Sequence, residues 1–261
     1  MTCDVISTGS VGNAVVLNGK YLFDCGVPYG KLRPWVKDVS AVFLTHIHAD
    51  HFKIQTIRQL HRNRPLLKFV CGRNLLVPLC TKCGVSPGRI LLAEPDRPVS
   101  LNYGPETVTI QAFDLIHNVE NIGYAVEVSG GDAPGKALYA TDTQYLPVSA
   151  PGFDLYMVEC NYRVDELERR KARKMEAGQF TYEDTVAAAH MSQETVTAWL
   201  SQNAGPDSQV VFLHQHIEKP PSPTPVGNGL ARSSPDPSPT PTGNVSCPLL
   251  PPFIKEAETI G

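Results

Sequence analysis

Short apolar runs bounded by turn residues recur along most of the chain: CDVIS, NAVVL, KYLFD, AVFL, LKFVC, TVTIQAF, GYAVEV, KALYA, FDLYMVE and QVVFLH. Their length and their β-branched or aromatic content predict strands. Longer stretches of mixed polarity at 52–63, 73–82, 164–177 and 192–203 predict helices. Strands joined by turns dominate the first half, and longer helices enter between the later strands. That order predicts an α/β protein with two sheets covered by helices. No internal repeat is visible. The stretch DELERRKARKMEAG is charged nearly all round, which predicts a solvated helix laced by intrahelical ion pairs, with a substrate-steering patch as the sharper alternative.

The periodicity stops near Lys219. From Pro220 to Pro252 the chain holds 11 of its 23 prolines, and Pro, Ser, Thr and Gly displace the apolar positions. Residues 220–261 therefore read as a Pro-rich, disordered tail, with docking to a partner as the alternative role. The folded domain is expected to span 1–219.

Composition narrows the class. With 42% hydrophobic residues among 261, one globular domain with a full core is expected. A formal charge of -3 argues against affinity gained by blanketing a polyanion, while leaving room for a local basic groove. No basic segment followed by a long apolar one opens the chain, and no run of about 18 apolar residues occurs. A cytoplasmic protein without a membrane partner is the expectation. Seven irregularly spaced cysteines do not form a disulfide framework, so reduced thiols are expected. The pair Cys80 and Cys83, with Cys71 upstream, is too little for a structural zinc and reads as packed thiols. His61 reads as a surface residue.

The chemistry concentrates in THIHADH, residues 45–51, directly after AVFL. Alternation along a strand brings His46 and His48 out together, with Asp50 next in the same rhythm and His51 turned the other way. Asp50 alone could cap the following helix, and a single histidine could be a surface group. Four such groups together point to a metal, because imidazole nitrogen and carboxylate oxygen suit borderline divalent ions. Further candidates stand where other apolar runs end: Asp24, His117, Asp142 and His214.

This order of residues resembles the metallo-β-lactamase-fold hydrolases, whose dinuclear site follows the sequence strand-Asp, H-x-H-x-D-H, His, Asp, His. The match runs through most of residues 1–217, with the tail outside it. The resemblance implies an αββα sandwich of two mixed β-sheets flanked by helices. It implies two divalent metal ions, zinc first, with manganese or iron also compatible. His46, His48 and His117 would hold one ion; Asp50, His51 and His214 would hold the other, with Asp142 bridging and Asp24 orienting the ligands. His216 stands where the pattern has serine, which leaves His214 and His216 as alternatives for the last ligand.

Two metals suit hydrolysis without choosing the ester. His190, in HMSQETVTAWL, resembles a histidine of the nuclease branches of the fold, tRNase Z and the small bacterial DNA exonucleases, where it approaches the leaving group. It would act as a general acid, or as a donor to the phosphoryl oxygens, beside Asp50. Ser10 and Asn13 in STGSVGNA, Asn121 in HNVENIGY and Asn161 in VECNY also resemble elements of that group, as substrate or ligand-loop residues. The ensemble looks most like small hydrolases of this fold from phage and prophage genomes. Only 25 positions separate His117 from Asp142, too few for the RNA-holding arm of tRNase Z. The 72 positions from Asp142 to His214 leave no room for the extra domain of larger nucleases. The expectation is an open phosphodiesterase acting on nucleic acid ends or on nucleotides, cyclic ones included. A thioesterase or lactonase with the same metals is the rival, and a metal-stabilised binding protein is the rival from another class. Metal identity, endo or exo cleavage and a homodimeric state stay open.

Overall fold

The computed structural model describes residues 1–95 and 97–215. The Pro-rich segment and His216 lie outside the described residues.

In chain order the elements are β1 (Cys3–Ser7), β2 (Ala14–Leu17), β3 (Tyr21–Phe23), α1 (Tyr29–Leu32), β4 (Ala41–Leu44), α2 (Ile54–Asn63), β5 (Lys68–Cys71), α3 (Leu76–Thr81), β6 (Ile90–Leu92), β7 (Val99–Tyr103), β8 (Glu106–Leu115), β9 (Asn121–Ser129), β10 (Gly135–Ala140), β11 (Leu155–Glu159), α4 (Val164–Glu176), α5 (Glu183–Ala189), α6 (Gln193–Asn203) and β12 (Gln209–Leu213). All ten expected strands are present. The edge strands β6 and β7 and the short helices α1 and α5 carry too weak a period to be read from sequence.

The strands form two six-stranded sheets, ordered β1-β2-β3-β4-β5-β6 and β12-β11-β10-β9-β8-β7. Each sheet is mixed. The strands β1 to β3 pair antiparallel and β3 to β6 parallel; β7 to β10 pair antiparallel and β10 to β12 parallel. Parallel pairing requires crossovers; helices lie in those from β3 to β4, β4 to β5, β5 to β6 and β11 to β12, whereas the crossover from β10 to β11 is irregular chain.

One core lies between the sheets, joining Phe23 and Phe43 to Tyr124, Tyr139 and Met157. Phe23 stacks on Phe43 at 4.7 Å and on Tyr139 at 4.8 Å. Two more cores lie outside: Leu22, Leu44 and Phe69 pack beneath Ile57 and Leu60 of α2, and Leu138, Tyr156 and Val158 pack beneath Val196 and Leu200 of α6. Burial on both faces explains why AVFL and LYMV are uniformly apolar rather than alternating. The layers are therefore helix, sheet, sheet, helix, as the αββα expectation required. Tyrosine hydroxyls stitch the sheets together: Tyr124 Oη donates to Leu44 O at 2.7 Å, and Tyr139 Oη donates to Asp24 Oδ2 at 3.0 Å.

The charged helix α4 departs from the expected pattern. Its Arg169 pairs with Asp165 within the helix, but Arg170 and Lys174 reach Glu183, and Lys171 reaches Asp184, on α5. The charges fasten two helices together. Cys83 is buried, its thiol pushed up to about 11 by burial, which fits packed thiols. Among the described residues no helix is long and apolar enough to cross a membrane.

Candidate metal centre

The carboxyl ends of the parallel strands converge on one place, the usual location of ligand chemistry in sheets of this kind. Asp24 follows β3, His46 and the rest of THIHADH follow β4, Asp142 follows β10, Glu159 ends β11 and His214 follows β12. His117 arrives from the end of β8.

Three of these residues turn sharply to get there. Asp24, Asp142 and His214 have φ of 59, 55 and 54°, and only Asn18 joins them among the described non-glycine residues with positive φ. A left-handed backbone at such residues is costly and persists where neighbours hold it. Asn121 Nδ2 donates to the carbonyls of Thr141 and Asp142, both at 2.9 Å. Asn161 Nδ2 donates to His214 O at 3.0 Å, and His214 N donates to Thr8 Oγ1 at 2.5 Å. Asp24 N donates to Phe43 O at 2.8 Å.

Three groups of metal-ligating atoms result. His46, His48 and His117 form the first, with His48 Nδ1 at 3.1 Å from His46 Nε2 and 3.2 Å from His117 Nε2. His46, His51 and Asp142 form the second; Asp142 Oδ2 lies 2.5 Å from His51 Nε2 and 3.7 Å from His46 Nε2. Asp142, Glu159, His190 and His214 form the third, with Asp142 Oδ1 2.5 Å from His214 Nδ1. Asp142 thus belongs to two groups and faces both sides. Asp50 stays at the rim with its side chain 27% exposed, its Oδ2 3.6 Å from His51 Nε2, and it does not cap α2, whose first turn follows Lys53.

Asp24 is fully buried and accepts from His51 Nδ1 at 2.7 Å, from Thr45 N and Oγ1 at 3.0 Å each, and from Tyr139. Holding Nδ1 turns His51 Nε2 toward Asp142. Asn13 Nδ2 lies 2.7 Å from the same Nε2. Ser10 sits on an exposed turn between residues 9 and 12, closed by Gly12 N donating to Gly9 O. His190 Nδ1 is 2.6 Å from Glu159 Oε1 and 3.4 Å from Asp142 Oδ1.

Electrostatics set these groups against each other. Burial and the neighbouring His51 push His46 down to about 2, so it stays neutral and able to donate a lone pair. Burial alone would lower His214, but the carboxylates of Asp142 and Glu159 outweigh it and push it up to about 10. Burial would raise Asp142; the facing His51 and His214 instead hold it well below the usual carboxylate range.

The residues fit a cation. Both oxygens of buried Asp142, His214 Nδ1 and His117 Nδ1 make no hydrogen bond of regular geometry, although Asp142 lies 2.5 Å from both His51 Nε2 and His214 Nδ1. Buried polar atoms left in that state need an explanation, and a divalent ion between them supplies it.

Glu159, Thr45 and Tyr139 are absent from the sequence expectation. Glu159 had a readable signal, an acid closing the apolar run LYMV just as Asp24 and Asp142 close theirs. Thr45 and Tyr139 carry none, since their role depends on where the sheets cross.

Two mixed sheets between helices, with this cluster at the strand ends, define the metallo-β-lactamase fold. Residues 20–217 match the family model described as the Beta-lactamase superfamily domain, and the chain belongs to that family. A Ribonuclease Z of Haloferax volcanii is 30% identical over 131 residues, covering 45% of this chain and 39% of that relative. The aligned part is therefore well under half of the relative's length. Among solved structures, the metallo-β-lactamase fold protein YhfI of Bacillus subtilis superposes with a TM-score of 0.57 at 21% identity, covering 83% of this chain and 87% of that one. Human tRNase Z, short form, superposes with 0.56 at 16% identity, covering 82% and 92%. A diphosphatase of the PhnP family superposes with 0.53 at 15% identity, covering 82% and 86%. These three share the fold.

Proposed function

We propose that the protein is a dinuclear metal-dependent phosphodiesterase acting on nucleic acid ends or on nucleotides, cyclic ones included. The observation that carries this reading is the continuous cluster in which Asp142 stands between the His46, His51 side and the His190, His214 side. The partial likeness to a Ribonuclease Z supports the same chemistry.

In this reading His46, His48 and His117 would hold one ion and His51 and His214 the other, with Asp50 at the rim and Asp142 within reach of both groups. Zinc is the first choice for such nitrogen and oxygen donors. Divalent ions held there would lower the pKa of water and neutralise charge developing on the phosphoryl oxygens. Asp50, open to the rim, takes the proton of the attacking water. His190 has committed Nδ1 to Glu159, so Nε2 is the ring atom left to protonate the leaving oxygen. Asp24 fixes the His51 ring and Asn13 braces the turn at Gly9 beside it, while Asn121 and Asn161 hold the loops of Asp142 and His214. Ser10 lies on the adjoining turn as a substrate-side residue. The buried thiols of Cys25, Cys71 and Cys83 suit a reducing compartment such as the cytoplasm.

Protein loaded with zinc or manganese should hydrolyse bis(p-nitrophenyl) phosphate, and Asp50→Ala should abolish turnover. Full activity in that variant would remove Asp50 from the mechanism. Cleavage of S-acyl glutathione or lactones with no phosphodiester turnover would overturn the substrate class.

A further inference from the structure

Phosphodiesterase chemistry at the cluster leaves open what holds the rest of the substrate. Two large apolar side chains stand exposed on the loops that carry ligand residues. Ile116 directly precedes His117 and is 38% exposed; Tyr145 follows Asp142 by three positions and is 47% exposed. Exposed apolar residues are ordinary when scattered. These two are not scattered.

The hydroxyl of fully buried Thr143 accepts from Ile116 N at 3.1 Å and donates to Tyr145 O at 2.9 Å. Thr143 N in turn donates to Glu159 Oε2 at 2.8 Å. One residue thus ties both loops to the carboxylate that holds His190. The adjoining Gln144 Nε2 donates to Ala188 O at the end of α5, and Leu146 is buried behind. Tyr145 is anchored on each side through its neighbours, while no aromatic ring among the described residues stacks on its own. In contrast, Tyr21, Tyr124, Tyr139 and Tyr156 are at most 1% exposed. A half-exposed ring, on a backbone tied through Thr143 to the carboxylate that holds His190, has the properties of a stacking platform, because any base offers a π face.

We infer that Tyr145, with Ile116 beside it, stacks the nucleobase of the substrate and makes the enzyme prefer nucleotide esters to esters lacking a base. This rests on the phosphodiesterase reading.

The test compares thymidine 5′-(p-nitrophenyl phosphate) with methyl p-nitrophenyl phosphate, and binding of thymidine 5′-monophosphate with ribose 5-phosphate by calorimetry, on metal-loaded full-length protein. Wild type should prefer the nucleoside ester, and Tyr145→Ala should cut that preference about tenfold through KM, with kcat little changed; base stacking supports an effect of this order. The same variant should lose the binding advantage of the nucleotide over ribose 5-phosphate. Tyr145→Phe should keep both preferences, and so should Leu66→Ala, an exposed residue elsewhere. Equal affinity of wild type for nucleotide and ribose 5-phosphate, or a Tyr145→Ala preference equal to wild type, overturns the inference. Failure of wild type to cleave either ester overturns the phosphodiesterase reading instead, and the binding comparison still decides the platform.

Discussion

Glu159 Oε1 lies 2.6 Å from His190 Nδ1, and no solvent reaches that carboxylate. The pair crosses from the end of β11 to the residue that closes α5, so a helix and a strand jointly aim one imidazole. A buried acid in this position fixes both the tautomer and the direction of the ring.

Glu159→Gln should therefore act through His190. Turnover of an alkyl phosphodiester should fall by about 100-fold, the lower range for a positioned proton donor, while p-nitrophenyl esters, whose leaving group needs no proton, should fall far less. His190→Ala should show the same contrast. Equal losses on both leaving groups, measured as kcat, would leave the pair without an acid role.

Asp24 sets His51 from behind. Asp24→Asn keeps a residue that tolerates φ of 59° but removes the anion at His51 Nδ1. Metal affinity, measured by competition with a coloured chelator, should drop by about 10- to 100-fold, the usual effect of losing such a partner. Unchanged affinity would show that Asp24 only braces the sheets.

Glu183 gives a pH signature away from the cluster. Burial would raise its pKa, but the Lys174 hydrogen bond and backbone N–H donors outweigh it and push it down from 4.5 to about 2. A depressed carboxylate stabilises the fold above its unfolded value and loses that contribution as protonation proceeds. In metal-free protein the Tm gap between wild type and Glu183→Gln should be constant above about pH 5.5 and shrink between 4.5 and about 2. A gap of the same size at pH 3 would assign it to packing.

Gly26 lies where three segments meet. Gly26 N donates to Asn13 O at 2.9 Å and Asn13 N donates to Asp50 O at 2.6 Å, and a Cβ on Gly26 would come within 1.6 Å of Asp50 O. Gly26→Ala should cost about 2 to 3 kcal/mol in denaturant unfolding, the range of overpacking, and should disturb metal binding because Asn13 and Asp50 move with it. Gly30→Ala, in α1 with open space around it, should be neutral or gain up to about 1 kcal/mol.

The sequence by itself determined ten of the twelve strands, the two-sheet architecture and the residues of the cluster other than Glu159. Buried strands such as AVFL and LYMV are set by local composition, and a polar residue closing an apolar run is visible without knowing what lies opposite. The motif THIHADH needed no partner to be read as half of a site. The edge strands β6 and β7 were not legible, because half-buried edges lack a strong pattern. Tertiary structure alone decided which groups share an atom: that Asp142 touches both sides, that Glu159 rather than Asp50 lies among the His190 and His214 nitrogens, and that Tyr139 and Thr45 hold Asp24. It also turned the charges of α4 outward to α5. These relations depend on how two sheets cross and on three left-handed residues held by Asn121, Asn161 and their neighbours. Such contacts span tens of residues in sequence, where no local period records them.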